Sequence, residues 1–127
     1  MASQYIVVVG CGRLGSILAS RLSSQGNNVV VIDPYESSFN NLSSDFSGFQ
    51  ITGDASEIEI LRSAKADKAD CLLAVTDKDN INLMVAQVAK NILQIGIETR
   101  NRKSKNVIFR RFIKIPTCTK TIRKFRP

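Results

Sequence analysis

The chain has 127 residues, 43% of them hydrophobic, and carries 18 Lys/Arg against 11 Asp/Glu for a formal net charge of +7. That is one domain's worth of sequence, with enough apolar content for an α/β core, and no apolar run long enough to span a bilayer. There is no histidine, which excludes imidazole metal ligation, Ser-His triads and the usual histidine acid–base of nicotinamide dehydrogenases.

The elements follow in a regular alternation. "YIVVVG" (5–10) is a short apolar, β-branched run ending in glycine, predicted as a buried parallel strand. "RLGSILASRLSSQG" places Leu14, Ile17, Leu18 and Leu22 at helical spacing and stops at Gly26. A second strand, "NNVVVID" (27–33), ends in Asp33. Residues 37–44 then form a short helix with Phe39 and Leu42 inward. "SGFQITGD" is a third strand, followed by a helix that sets Ile58, Leu61 and Ala64 on one face. A fourth strand, "KADCLLAVTD", precedes the longest helix, 80–93. Beyond residue 94 the pattern weakens: "IGIETR" is read as strand five, "SKNVIFRRF" as a short helix and "IKIPT" as strand six. The predicted fold is α/β, a Rossmann-like, doubly wound, three-layer parallel sheet in a single domain.

Charge divides the chain. Residues 1–98 hold 7 Lys/Arg and 11 Asp/Glu, a net of −4, whereas 99–127 hold 11 Lys/Arg and no acid. The expected organisation is therefore a Rossmann core at 1–98 and a basic segment at 99–127, a last βα unit with a mobile end. Cys11, Cys71 and Cys118 show neither zinc spacing nor a redox pair, which fits a reducing compartment.

Gly10, Gly12 and Gly15 form GxGxxG between a strand and a helix, with Asp33 closing the next strand 23 residues after Gly10. Gly10 makes the turn, Gly12 lets backbone approach a phosphate, and Gly15 lets helix and strand pack. The helix N-terminus offers N–H groups to the anion. Cys11 and Leu14 complete the loop as backbone contacts, and Arg13 offers a guanidinium for a phosphate. Asp33 can accept ribose hydroxyls and would repel a 2′-phosphate, disfavouring NADP; Pro34 follows it. In "TGDASE", Gly53, Asp54 and Ala55 fall where an adenine edge would lie, although Asp54 could equally cap the next helix. In "AVTDKDNIN", Thr76, Asp77 and Asn82 would face phosphates or the distal ribose, with Asp79 or Asn80 as a helix cap.

Together, "VVGCGRLGSILASRL", "VVVID" and "ITGDASEIEILRSAKADKADCLLAVTDKDNIN" resemble the TrkA-N type domain, also called the N-terminal regulator-of-potassium-conductance domain, from about Tyr5 to Leu93. The resemblance implies a cytosolic regulatory subunit of a potassium uptake system. It would bind NAD(H) or ATP, ADP or AMP and switch conformation without turnover. The implied partners are a membrane potassium-translocating subunit at the inner face of the cell membrane and further copies of the chain in a homodimer or ring. It also implies that the glycine loop with Arg13 meets phosphates, Asp33 the adenosine ribose, Asp54 and Ala55 the adenine, and Thr76 the phosphate side. The family's strand-five arginine has one counterpart here, Arg100, in surroundings that match poorly. The family's C-terminal ligand-sensing domain has no room in 127 residues, so a single-domain or truncated member is expected.

Two other readings stand beside this one. A small NAD-dependent oxidoreductase would need a substrate domain and an acid–base residue, and neither is legible. The basic tail could bind nucleic acid or an anionic membrane. However, only Phe109, Phe112 and Phe125 are available for stacking, nucleic acid is not the expected partner, and a solvated basic end is the plainer account.

Overall fold

A computed structural model of the protein describes residues 3–91, 96–99 and 107–110. Four strands lie parallel at its centre: β1 (Tyr5–Val9), β2 (Asn28–Asp33), β3 (Phe49–Thr52) and β4 (Cys71–Ala74). They are joined by helix α1 (Arg13–Ser24), a 3₁₀ turn at Glu36–Asn41, helix α2 (Ile58–Ser63) and a second 3₁₀ turn at Ala66–Lys68. Helix α3 (Asp79–Asn91) follows β4, and β5 (Gly96–Thr99) and β6 (Val107–Arg110) complete a six-stranded sheet ordered β3-β2-β1-β4-β6-β5.

Why β1 takes the middle is clear from its composition. Ile6, Val7, Val8 and Val9 are all at most 2% exposed, because both of their faces are covered, as in α/β sheets generally. Alternation assigns the faces. Ile6, Val8, Val29, Val31 and Leu73 pack under α1 and the first 3₁₀ turn, through Leu18, Ala19, Leu22 and Phe39. Val7, Val9, Val30, Ile32 and Leu72 pack under α2 and α3, through Leu61, Val85, Ala86 and Ala89. Burying each of these branched side chains is worth about 1.5–3 kcal/mol. The expected three-layer, Rossmann-like architecture is therefore the observed one.

Three details differ from expectation. Ile17 of α1 is 47% exposed; the helix buries Leu18 and Leu22, and Ile17 sits one step off that stripe. The short helix after β2 is a 3₁₀ turn, in which Phe39 is buried as expected and Leu42 packs against the same cluster.

The third difference is larger. The segment expected as a helix, 104–112, contains strand β6, which runs antiparallel to both β4 and β5. Only the seven residues 100–106 separate β5 from β6. That is too few for the crossover of a dozen or more residues that a parallel neighbour requires, so the pair must be antiparallel. The sheet is thus parallel through β4 and mixed beyond it. "IGIETR" supplies β5 as expected, while "IKIPT" lies outside the described residues.

A cleft at the carboxyl ends of the parallel strands

The carboxyl ends of β1, β2, β3 and β4 open onto one cleft of about 660 Å³. Order β3-β2-β1-β4 makes the gap between β1 and β4 the point where the chain switches direction, which is where open α/β sheets receive ligands.

The glycine loop forms the floor. Gly10 has φ +104°, in the left-handed region that glycine tolerates, and its N–H donates to the Ile32 carbonyl at 2.7 Å. Gly15 has no room for a side chain: a Cβ there would lie 1.7 Å from the Gly10 carbonyl oxygen. Gly12, the N-cap of α1, is the opposite case, for a Cβ there meets nothing within 4 Å. Gly15 therefore serves packing, and Gly12 borders open space on the cleft.

Asp33 is 8% exposed at the end of β2. One carboxylate oxygen, Oδ2, accepts the Cys11 N–H at 2.9 Å; the other, Oδ1, accepts the Tyr35 N–H at 2.9 Å. Each oxygen retains lone-pair capacity for a further donor. The same carboxylate acts on the Cys11 thiol, whose pKa is pushed up to about 11 by burial first and by the Asp33 charge second. Cys11 is thus a protonated, buried thiol that contributes backbone to the loop.

At the end of the neighbouring strand β3, Asp54 accepts both the N–H (2.9 Å) and the hydroxyl (2.7 Å) of Ser56 on Oδ1. These bonds, with the Lys78 ammonium as a lesser contributor, hold its carboxyl below the ordinary carboxylate value. Asp54 shapes the turn into α2, whose N-cap is Glu57. The expected alternative, Asp54 as the cap of that helix, does not hold: its carboxylate closes a tight turn on Ser56, three residues before the N-cap.

The cleft gathers ten of the residues read from the sequence: Gly10, Gly12 and Arg13; Asp33 and Pro34; Gly53, Asp54 and Ala55; Thr76 and Asp77. Cys11, Leu14 and Gly15 lie behind it. Asn82 is also absent from its lining and is 0% exposed, its amide wholly engaged with Thr76. The expectation that Asn82 faces a ligand is corrected accordingly: it holds the turn that presents Thr76. Arg100 lies outside the described residues. Sequence reasoning missed Tyr35, Ser38, Lys78 and Ile81, which also line the cleft. A signal for Tyr35 and Lys78 existed, since each sits within two residues of a motif position at a strand's carboxyl end. Among the described residues no cluster of acids or cysteines is arranged to hold a metal ion, and no helix is long and apolar enough to cross a membrane.

Four parallel strands with a glycine loop after β1 and a buried acid at the end of β2 define the class: a Rossmann-like nucleotide-binding fold. Within that class the chain belongs to the TrkA-N domain family, whose model matches residues 6–115. The Trk system potassium uptake protein TrkA of Streptomyces coelicolor is 42% identical over 94 residues, 74% of this chain and 41% of that protein. A homologue of the same name from Pyrococcus horikoshii is 34% identical over 88 residues, 69% of this chain and 39% of that protein. The chain thus spans about two fifths of the length of these relatives.

Among solved structures, the Kef C-terminal domain of Shewanella denitrificans in its AMP-bound form superimposes with a TM-score of 0.61 at 24% identity, covering 71% of this chain and 54% of that one. The Bordetella bronchiseptica enzyme WbmH in complex with NAD+ gives 0.59 at 19% identity, covering 70% and 36%. At these identities the likeness is one of fold.

Proposed function

We propose that this domain is a regulatory nucleotide-binding module of a potassium uptake system, reading the bound state of NAD(H) or an adenine nucleotide without turning it over. The observation that carries this is the meeting of Gly12, open on its Cβ side, with the half-engaged Asp33 carboxylate across one cleft. In this reading the α1 N-terminus and Arg13 take the phosphates, as helix N-termini and guanidinium groups do. Asp33 accepts from the adenosine ribose and repels a 2′-phosphate. Asp54 and Ala55 border the base, and Thr76 with Asp77 borders the phosphate side.

Regulation would follow from differential affinity: a ligand that prefers one arrangement of the domain shifts the population toward it. The relatives' names, potassium uptake proteins of Trk systems, support a membrane potassium-translocating subunit as the partner that senses the shift; a cytoplasmic position and self-association are part of the same proposal.

Calorimetric titration with ADP, ATP, NAD+, NADH and NADPH tests this, with Asp33→Ala alongside and folding checked by circular dichroism. We expect at least one ligand to bind, NADH to exceed NADPH, and that preference to shrink in Asp33→Ala. A folded protein that binds none of them overturns the proposal.

A further inference from the structure

Asn41 closes the 3₁₀ turn after β2, is exposed, and does not line the cleft. Its side chain nevertheless reaches back thirty positions, and Nδ2 donates to the carbonyl oxygen of Cys11 at 3.2 Å. Cys11 stands between Gly10 and Gly12, so the backbone on either side of it has unusual freedom. Two side-chain ties restrict it: Asp33 takes the Cys11 N–H, and Asn41 takes the Cys11 carbonyl.

The second tie sets a direction. No peptide bond in the described chain is cis. In a trans peptide the carbonyl of one residue and the N–H of the next point to opposite sides of the chain. Because the Cys11 carbonyl is directed at Asn41, the Gly12 N–H is turned the opposite way, and Gly12 itself lines the cleft. A rotated peptide would instead present carbonyl oxygen to an incoming anion.

We propose that Asn41 is a positioning residue of the phosphate loop. It never touches the ligand, but by anchoring the Cys11 carbonyl it holds the Gly12 N–H aligned for a phosphate before one arrives. The inference rests on the nucleotide reading of the same cleft, and it assigns a function to a surface residue outside every recognised motif.

Because Asn41 is exposed, its variants are expected to fold. ADP and adenosine would be titrated into the wild type, Asn41→Ala and Asn41→Leu, with amide ¹⁵N–¹H shifts that read affinities down to the millimolar range. Loss of one aligning hydrogen bond should weaken ADP about three- to tenfold. Adenosine, lacking phosphate, should change by less than about twofold, a bond worth little to a ligand that does not use it. The Gly12 amide signal should move in both unliganded variants. Leucine keeps the side chain's bulk without its donor, so it should behave as alanine does.

Equal weakening of ADP and adenosine, an unchanged ADP affinity, or recovery in Asn41→Leu would overturn the proposal while leaving the nucleotide reading intact. A wild type that binds neither ligand would overturn this proposal, and the nucleotide reading falls with it only if ATP, NAD+ and NADH fail to bind as well.

Discussion

The side-chain amide of Asn82 brackets the peptide of Thr76: Oδ1 accepts the Thr76 N–H at 3.0 Å and Nδ2 donates to the Thr76 carbonyl at 3.0 Å. The Thr76 hydroxyl lies 2.7 Å from the same Oδ1 and also accepts the Lys78 N–H at 3.2 Å. A fully buried amide thus stands in for a missing strand partner where β4 gives way to α3. Asn82→Ala should cost about 2–4 kcal/mol, since it removes three bonds and leaves Thr76 polar groups unpaired. Urea unfolding checks this as a lower midpoint with an unchanged slope.

Two glycines of one motif should respond oppositely to the same substitution. Gly15→Ala drives a methyl into the Gly10 carbonyl and should destabilise by about 3 kcal/mol or more. Gly12→Ala meets nothing and should stay within about 1 kcal/mol of wild type. If a phosphate sits against Gly12, that methyl should weaken nucleotide binding at least tenfold, equivalent to about 1.4 kcal/mol. Thermal melts and calorimetry on the two variants separate packing from ligand approach.

Cys11 makes a pH prediction. Its thiol is raised from 9.0 to about 11, so the folded state holds the proton more tightly than the unfolded state does. The stability this contributes is complete below pH 9 and is lost as pH rises toward 11. Cys11→Ala should flatten that decline in unfolding midpoints measured from pH 8.5 upward. Peptide mapping after brief alkylation at pH 7 should find Cys11 unmodified in the native protein and modified in denaturant.

Asp54 gives the acid-side counterpart. Its carboxyl is lowered from 3.8, chiefly by the Ser56 N–H and then by the Ser56 hydroxyl. Its contribution to stability is present above 3.8 and is lost as pH falls through the lowered value. Ser56→Ala keeps the backbone bond and removes the hydroxyl. The Asp54 pKa, followed by carboxyl ¹³C shifts, should therefore rise only part of the way back.

Strands and helices through α3 were legible because their apolar periodicities are strong and each is punctuated by glycine or an acid. The glycine loop, Asp33 and the Asp54 turn were legible because their spacing depends on local backbone chemistry. Asn82 was misread for a physical reason: a polar side chain near a strand's carboxyl end looks the same in sequence whether it faces a ligand or satisfies a buried turn. Strand β6 was misread because its neighbours are basic, and strand pairing depends on connection length as well as on composition. Ser38 and Ile81 could be placed in the cleft only once the segments carrying them had a direction.

The position of β1 has a consequence for how the protein is made. Its two sheet partners are β2, complete at Asp33, and β4, complete only at Ala74. As the chain emerges, the strand destined to be the most deeply enclosed therefore spends some forty residues of synthesis with one hydrogen-bonding edge unpaired. At about 5–20 residues per second that interval lasts a few seconds. During it the nascent chain offers a bare Val-rich edge to any neighbouring strand. Arrival of β4 both closes that edge and supplies the far bank of the cleft, so the enclosure of β1 and the completion of the cleft are one event.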